Sequence, residues 1–351
     1  MPRDVRLQPS RRWFVADYRT TDLPEQDRRH AMKRMLFLFA VAIVLSFSMP
    51  GSASAQSCTA VATDLNFGSV SPISRTAFAA TSTVSVTCTW PSVTLVPNAQ
   101  ICLNLGGTSP RQLANGTNTM QYDLYQDAGH SVIWGSTYTG TTPISFVMSK
   151  PALSTTLTQA VTVYGQISAN QPTVPTAGNA STLYTQGFGG AQTSLNVGFY
   201  LLGTGLPCST LATSGTFGFS ANATVVNNCN ISATNIAFTP AALLTSALTA
   251  SGAITAQCTN GDAYKITLDG GVNGTVAARN MLRPGGAKIG YQLYTDQQFA
   301  TPWGDGSAGT STVTRTGTGL AQVITVYGRV PAQTTPAPGT YTDTITATIS
   351  F

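Results

Sequence analysis

The segment Thr340–Phe351 reads TYTDTITATISF, and its alternation decides the fold class. Apolar residues occur at every second position, which places them on one face of an extended strand, with Thr and Ser on the other. The apolar residues are Ile345, Ala347, Ile349 and Phe351. The segments STVSVTCTW (82–90) and QAVTVYGQI (159–167) alternate in the same way. With no helical period lasting three turns, the sequence predicts an all-β protein.

The chain contains two similar halves. SCTAVATDLNFGSV (57–70) is matched by NCNISATNIAFTPA (228–241), YDLYQD (122–127) by YQLYTD (291–296), and VTVYGQI (161–167) by ITVYGRV (324–330). Trp134 and Trp303 recur after the second of these motifs, so we predict that both are core or turn residues. The repeats predict two tandem immunoglobulin-like β-sandwich domains, at residues 56–210 and 215–351.

A leader precedes the folded region. The segment 32–55 has a basic start, an apolar run of about a dozen residues, and Ala-Ser-Ala before a cut after Ala55, which is the layout of a secretory signal peptide. The run is shorter than a membrane span requires. We interpret residues 1–31 as an upstream mis-start, with Met32 as the initiator. The protein is therefore expected to be exported.

Removal of the leader leaves a nearly neutral chain. Nine of the 18 Lys and Arg residues and five of the 13 Asp and Glu residues precede Gln56, which leaves nine basic and eight acidic residues. Neither nucleic acid nor an anionic membrane is therefore an expected partner. His130 is the one histidine after the leader, and no catalytic motif is present. Asp123, Asp127 and Asp296 recur near one turn, which indicates turn chemistry. We expect no enzyme activity, metal or cofactor.

Six cysteines follow the leader, and an even number in an exported chain favours disulfides. One pair lies 30 positions apart in the first half and recurs 29 positions apart in the second. The two remaining cysteines both belong to the first half, and we pair them with each other. The expected disulfides are Cys58–Cys88, Cys229–Cys258 and Cys102–Cys208.

Taken together, these motifs resemble the spore coat protein U domain family. The shared features are the cysteine spacing, the LNFG strand after the first cysteine, YxLYxD followed by WG, VYGxV, and the terminal GTYTDTITATISF. The resemblance covers nearly all of residues 56–351, as two tandem copies. It implies incomplete immunoglobulin-like folds, like those of pilins from archaic (Csu-type) chaperone–usher pili, in which each subunit lacks a strand.

The resemblance also implies partners. In such pili a periplasmic chaperone supplies the missing strand, and the N-terminal extension of a neighbouring pilin replaces it during assembly by an outer-membrane usher. Residues 56–57 are too short to donate a strand, and the chain stops at Phe351. We therefore expect an incomplete second domain that accepts a donated strand. Its expected acceptor edge is Ile345, Ala347, Ile349 and Phe351. A chain of this kind is similar to a two-domain tip adhesin, exported through the periplasm to the cell surface.

The strand-like segment TFGFSANATVVNNC (216–229) precedes the first cysteine of the second half. The corresponding cysteine of the first half has almost nothing between it and the expected cleavage site. Because the segment is tethered to the first domain, we expect it to belong to the second sandwich.

Three connections of the first half are each six residues longer than their counterparts in the second; they follow Cys88, Trp134 and Gly165. Their extra residues are apolar or proline-rich, and apolar surface loops often mark contact sites. We therefore predict a binding surface for a hydrophobic material or an unidentified receptor. Its residues are Trp90, Pro91, Val93, Leu95, Val96, Phe146, Met148 and Val174.

Several alternatives stay open. The segments SVTLV (92–96) and ISFVM (144–148) are equally well explained as strands packed in the core. If ISFVMS is a strand, parity places the three long connections at one end of the sandwich; otherwise the third lies at the opposite end. A secreted coat-type protein would fold without a partner. A glycan-binding tip would need amide and aromatic side chains at one site, with Asn115, Asn118 and Tyr138 as candidates.

Overall fold

The structure is a computed structural model that describes residues 33–37 and 55–351. Residues 33–37 are helical. The expected mis-start at 1–31 and most of the expected signal peptide lie outside the described residues. Where the chain is described, no helix has the length and apolar character needed to cross a membrane. The region from Ala55 to Phe351 is a separate unit and is nearly all β.

The first sandwich forms because its strands alternate apolar with small polar residues, so that each strand buries one face. Along β3, for example, Val84, Val86 and Cys88 are buried while the residues between them are half-buried. The strands are β1 (Ser57–Ala62), β2 (Leu65–Val70), β3 (Phe78–Thr89), β4 (Asn98–Leu103), β5 (Arg111–Asn115), β6 (Asn118–Tyr125), β7 (Ile144–Ser149), β8 (Thr156–Ile167), β9 (Thr182–Phe188), β10 (Ser194–Tyr200), β11 (Thr213–Thr216) and β12 (Phe219–Val225). Short 3-10 helices lie at Pro72–Ser74, Thr137–Thr139, Gly190–Gln192 and Cys208–Thr210.

Two sheets enclose the first core. Their strand orders are β1-β3-β8-β6-β5-β9-β12-β2 and β11-β10-β4-β7. The longest pairing joins β3 and β8 antiparallel, from Phe78 opposite Ile167 to Thr89 opposite Thr156. We call the end of the sandwich at Thr89 and Thr156 the distal end, and the end at Phe78 and Ile167 the joint end.

The second sandwich repeats most of this arrangement with fewer strands. They are β13 (Cys229–Ala233), β14 (Leu248–Cys258), β15 (Ala263–Leu268), β16 (Arg279–Leu282), β17 (Lys288–Tyr294), β18 (Val313–Thr316), β19 (Gln322–Val330) and β20 (Ala347–Ser350). The sheet orders are β13-β14-β19-β17-β16 and β18-β15-β20. The fold class is therefore all-β, with two tandem immunoglobulin-like sandwiches, as the sequence predicts.

A tryptophan anchors each core. Trp134 and Trp303 are both fully buried, and they occupy equivalent positions after β6 and β17. The indole N–H of Trp134 donates to the carbonyl oxygen of Leu103, and that of Trp303 donates to Ile266. These bonds satisfy a polar group that would otherwise be costly to bury. Neither tryptophan is available as a surface residue.

All six cysteines form disulfides, and the pairs are Cys58–Cys88, Cys102–Cys208 and Cys229–Cys258. The first and third staple β1 to β3 and β13 to β14, where the bonded cysteines are direct cross-strand partners. The second joins β4 to the 3-10 helix between β10 and β11. Each sandwich thus holds its first strand by the same covalent link.

We expect removal of the Cys102–Cys208 link to destabilise the first sandwich strongly. The two cysteines are 106 positions apart, and closing a loop of that length is worth about 4–5 kcal/mol in the chain-entropy argument. The double substitution Cys102→Ala/Cys208→Ala should lower the free energy of unfolding by that amount in urea titrations without reductant. A loss below about 1 kcal/mol would show that this link adds little to the folded state.

Candidate functional site

Strand β12 fills the last position of the first sandwich. It pairs antiparallel with β9, from Phe219 opposite Phe188 to Val225 opposite Thr182. On its other side it pairs parallel with β2, where Ala221 lies opposite Leu65. The expectation that TFGFSANATVVNNC belongs to the second sandwich is therefore wrong, because its strand completes the first.

β11 and β12 act as one interrupted strand along β10 and β9. β11 pairs with β10, where Gly215 lies opposite Leu195, and β12 then continues along β9. The expected domain boundary at residues 210–215 is corrected accordingly. The first sandwich extends to Val225, and residues 226–228 lead directly into β13.

The inward face of β12 is part of the first core. Its buried side chains are Phe219, Ala221, Ala223 and Val225. The ring of Phe219 stacks on Phe188 with centroids 4.8 Å apart, and on Trp134 at 5.9 Å. Phe217, just before β12, stacks on the same indole at 6.1 Å. The first sandwich therefore depends on this strand for much of its aromatic packing.

The second sandwich has no strand in the corresponding position within the described residues 229–351. The segments that would flank such a strand, 236–238 and 341–345, are also not strands. Their inward side chains, Ile236, Phe238, Tyr341 and Ile345, are half-buried, whereas the counterparts in the first sandwich are buried. We call the cleft between these two segments the open groove.

Three contacts establish that the open groove corresponds to the site of β12. Leu65 and Phe67 lie against Gly165, and Ile236 and Phe238 lie in the same way against Gly328. The hydroxyl of Tyr122 donates to Gln186 on β9, and that of Tyr291 donates to Asp343. The hydroxyl of Tyr184 donates to the Pro175 carbonyl oxygen, and that of Tyr341 donates to Ala337. These wall residues therefore occupy equivalent positions in the two sites.

The expected acceptor edge runs along this groove. Ile345, Ala347 and Ile349 are half-buried against the second core, and Phe351 is 47% exposed. β20 pairs with β15 on one side, where Ile349 lies opposite Ile266. Its other side corresponds to the side of β10 that β11 covers in the first sandwich.

The two sandwiches meet at the joint end through polar contacts. Asn179 exchanges two hydrogen bonds with the backbone of Ala263, at 2.7 and 2.8 Å. The amide of Asn260 donates to the Thr173 carbonyl oxygen at 2.7 Å. Asp262 accepts from the Thr176 hydroxyl at 2.5 Å, and burial raises the pKa of this carboxyl group. The connection that follows β8 thus serves as a docking surface for the second sandwich.

The third long connection, which follows β8, lies at the joint end. The parity argument placed all three long connections at one end if residues 144–149 form a strand, and it is therefore wrong. Residues 144–149 do form a strand, β7, yet the third long connection lies at the joint end because β8 runs from the distal end to the joint end. The first connection and the β7–β8 loop lie together at the distal end. The backbone N–H of Trp90 donates to the Thr155 carbonyl oxygen at 2.8 Å, and the backbone N–H of Lys150 donates to the Pro97 carbonyl oxygen at 2.9 Å.

A further loop, which the sequence analysis missed, joins these two at the distal end. It is the β10–β11 loop, residues 201–212. Asn98 connects all three loops, because its amide donates to the Leu201 carbonyl oxygen at 2.9 Å and its Oδ1 accepts from the Ser149 hydroxyl at 2.8 Å. We call the loops 91–97, 150–155 and 201–206 the distal loops.

The distal loops carry exposed apolar side chains on each of their three segments. Val93 and Leu95 are 86% and 82% exposed, Leu153 is fully exposed, and Leu202 is 84% exposed beside the half-exposed Leu201. Single exposed apolar residues are ordinary on protein surfaces, but here five of them lie on three adjoining loops. The distal end is therefore the apolar end of the first sandwich.

The structure divides the predicted binding residues into three groups. Val93 and Leu95 are exposed, while Pro91 and Val96 are half-buried beside them. Trp90, Met148 and Val174 are buried, so their placement on an exposed binding surface is wrong. Trp90 continues the inward face of β3 and packs edge-on against Phe199, with centroids 6.4 Å apart. Phe146 is half-buried against the first core, and Val174 lies at the joint end.

Sequence reasoning also missed a pair of buried arginines. Arg111 on β5 lies opposite Tyr122 on β6, and Arg279 on β16 lies opposite Tyr291 on β17. Arg111 forms an ion pair with Asp123 at 2.5 Å. Arg279 donates instead to a backbone carbonyl oxygen, at 2.7 and 3.0 Å, and to a glutamine side chain. The sequence signal that could have identified this pair was an arginine shortly before the repeated tyrosine motif in each half.

The ion pair also separates Asp123 from the turn aspartates with which it was grouped. Asp127 and Asp296 do share one turn geometry. The backbone N–H of Val132 and the hydroxyl of Ser131 hold the pKa of Asp127 below its ordinary value, and backbone N–H groups do the same for the pKa of Asp296. In the part of the chain that is described, no three His, Cys, Asp or Glu residues group as a metal site would require.

The candidate glycan-binding residues do not converge. Asn115 and Asn118 lie on the β5–β6 hairpin of the larger sheet, where the Asn115 amide donates to Leu183. Tyr138 lies beside the smaller sheet and shares hydrogen bonds with Thr213 and Asn196. These three side chains therefore form no single site.

Several solved structures align with this chain at low identity. A chain of the CsuC–CsuE chaperone–tip adhesion subunit pre-assembly complex from archaic chaperone–usher Csu pili of Acinetobacter baumannii is 14% identical; the alignment covers 84% of this chain and 100% of that one, with a TM-score of 0.48. The CupB6 tip adhesin from Pseudomonas aeruginosa is 9% identical over 78% and 86%, with a TM-score of 0.32. A chaperone–tip adhesin complex of CFA/I fimbriae is 10% identical over 82% and 95%, with a TM-score of 0.29.

Comparison by sequence gives a clearer result. No curated protein matches the chain, but the spore coat protein U domain matches it twice, over residues 44–185 and 215–348. The second match begins before β12, so the repeat in the sequence includes a strand that the fold assigns to the first sandwich. The two matches cover most of the chain, which therefore belongs to the spore coat protein U domain family and carries the domain in tandem.

Proposed function

We propose that this protein is a pilus tip adhesin of the chaperone–usher type, with a self-completed adhesive domain and a pilin domain that accepts a strand. The observation that carries this proposal is the contrast between the two equivalent grooves. The first is filled by β12 of the same chain, and the second has no strand from residues 229–351. An apolar groove that no strand covers favours strand addition.

The distal loops give the first domain its role. They lie at the end of the first sandwich opposite the joint, and they carry the exposed side chains of Val93, Leu95, Leu153, Leu201 and Leu202. Apolar side chains in this place would contact a hydrophobic material directly. Full burial of one such side chain contributes roughly 1.5–3 kcal/mol, and many pili per cell would multiply weak contacts into firm attachment.

The expected partners follow from the open groove. In the periplasm a chaperone would cover it, and at an outer-membrane usher a strand from the neighbouring pilin would replace the chaperone. The protein would then reach the cell surface at the end of a pilus. Of the two alternatives, a coat-type protein would not use the open groove, and the residues predicted for a glycan-binding tip, Asn115, Asn118 and Tyr138, do not converge.

The distal loops can be tested by charge substitution. We expect the triple variant Leu95→Asp/Leu153→Asp/Leu202→Asp to reduce attachment of piliated cells to polystyrene at least about tenfold, because each change removes roughly 1.5–3 kcal/mol of apolar contact. Attachment is measured under flow, and pili are counted by electron microscopy. Added sugars should leave attachment of the parent unchanged.

The matched control places the same charges on exposed apolar residues away from the distal loops. Val61, Leu183 and Val323 are 68%, 55% and 62% exposed, so their replacement by Asp tests net charge and exposure alone. This control should attach like the parent. Normal attachment by the distal-loop variant would rule out the apolar contact, and inhibition by one sugar would favour glycan binding instead.

A further inference from the structure

The strand that fills the groove of the first sandwich, β12, indicates which side chains a strand bound in the open groove would need. Along β12 the inward side chains read, from the N-terminal end, as aromatic, small, small and branched: Phe219, Ala221, Ala223 and Val225. The outward residues between them are small and polar. The order is imposed by the walls of the groove, which can be compared position by position with those of the second sandwich.

The centre of the filled groove has room for small side chains only. Ala223 lies opposite Tyr184 on β9, and Ala221 lies opposite Leu65 on β2. All four side chains are fully buried, and a larger residue on the strand would overlap close-packed neighbours. The corresponding wall residues of the open groove are Tyr341 and Ile236, which are similarly large. The centre of a bound strand must therefore be small there too.

One end of the open groove accepts a larger side chain. In the first sandwich Phe219 lies opposite Phe188, and both rings are buried by their stacking. Ile345 replaces Phe188 in the second sandwich and is half-buried. Among residues 55–351, no aromatic ring stacks on Trp303, whereas Trp134 carries two phenylalanine rings. A bulky residue at this end of a bound strand would cover Ile345.

We infer that the partner of the second domain supplies a strand, antiparallel to residues 341–345, whose inward positions read bulky, small, small and branched. This inference rests on the proposed function and makes it specific, because the strand must resemble β12 of this chain. The bulky residue lies opposite Ile345, and the small residues lie opposite Asp343 and Tyr341. A strand with large residues in the two central positions would be excluded.

The test appends a copy of residues 213–226 after Phe351 in the chain that starts at Gln56. The natural β10–β11 connection spans the twelve residues between Tyr200 and Thr213, so a polar linker of that length is suitable. In the monomeric product, amides of residues 341–345 should exchange with deuterium at least about tenfold more slowly than in the parent. The melting temperature of the second domain should rise by at least about 5 °C.

Two variants of the appended copy separate size from strand addition. Ala221→Leu/Ala223→Leu in the copy places large residues on the inward face, and Ser220→Leu/Thr224→Leu places the same residues on the outward face. We expect the inward variant to lose the protection and the outward variant to keep it. Equal protection by both would overturn the size pattern while leaving strand complementation intact. Absence of protection with every appended strand, the unaltered copy included, would overturn the proposed function itself.

Discussion

The substitution Ala223→Asp is expected to unfold the first sandwich while the second stays folded. Ala223 is fully buried on β12, which lies between β9 and β2. A carboxylate at this position would lose its water without gaining a partner. The resulting penalty of several kcal/mol is comparable with the total stability of a domain, about 5–15 kcal/mol. Limited proteolysis with mass spectrometry would show cleavage spread over residues 56–225.

Thr224→Asp is the matched control. Thr224 is the next residue of the same strand, and its half-buried side chain lies on the opposite face from Ala223. This variant should resist protease like the parent. If Ala223→Asp instead exposed residues 229–351 to cleavage and spared the first sandwich, β12 would belong to the second domain after all.

The substitution Arg111→Leu is expected to cost about 3–5 kcal/mol of unfolding free energy, because it removes the cation paired with the buried Asp123 and leaves only neutral donors such as the Ser109 hydroxyl. Arg111 and Asp123 are both nearly inaccessible, and Arg111 also donates to the Trp134 carbonyl oxygen at 2.9 Å. Urea titration followed by tryptophan fluorescence would measure the loss. The double variant Arg111→Met/Asp123→Leu should recover most of it, since an apolar pair of similar volume leaves no buried charge.

Arg279→Leu in the second sandwich provides the comparison. Its side-chain partner is the neutral Gln292, and an unsatisfied neutral group costs about 1–3 kcal/mol. We therefore expect a smaller loss than for Arg111→Leu. Equal losses at the two sites, with no recovery in the double variant, would mean that the charge of Asp123 is unimportant.

Much of the architecture follows from local patterns in the sequence. Alternation of apolar and polar residues gives β strands, and the repeated motifs give two similar sandwiches. The same reasoning could have placed Trp90, since Val84, Val86 and Cys88 already mark the inward face of β3 and Trp90 is the next residue in that series. The prediction failed because Trp90 was assigned to a loop by comparing connection lengths instead of extending the strand.

The position of β12 could not be read in this way. Its alternation shows that it is a strand, but the sandwich that it completes depends on which groove is vacant in three dimensions. Position along the chain pointed to the second sandwich, whereas Ala221 and Ala223 fit the first. Repeat boundaries in the sequence and domain boundaries in the fold therefore differ by one strand.

The distal loops show a similar limit. Val93 and Leu95 came from comparing the two halves, but Leu201 and Leu202 follow β10 in a segment for which the second half offers no counterpart. Their place beside the other loops depends on the register of β10 with β4, where Tyr200 lies opposite Asn98. Such a register is a property of the folded sheet.

The short passage from β12 into β13 has a mechanical consequence. Only residues 226–228 separate the two strands, so a pull on the second domain enters the first through the C-terminal end of β12. That strand is bonded along its length to β9 on one side, and to β2 on the other side from Ala221 to Val225 with one irregularity. Tension directed along it loads both rows of hydrogen bonds together, in shear, instead of peeling them apart one after another. A cell held by the distal loops would thus transmit its drag through a strand clamped inside the core, with no slack linker to stretch first.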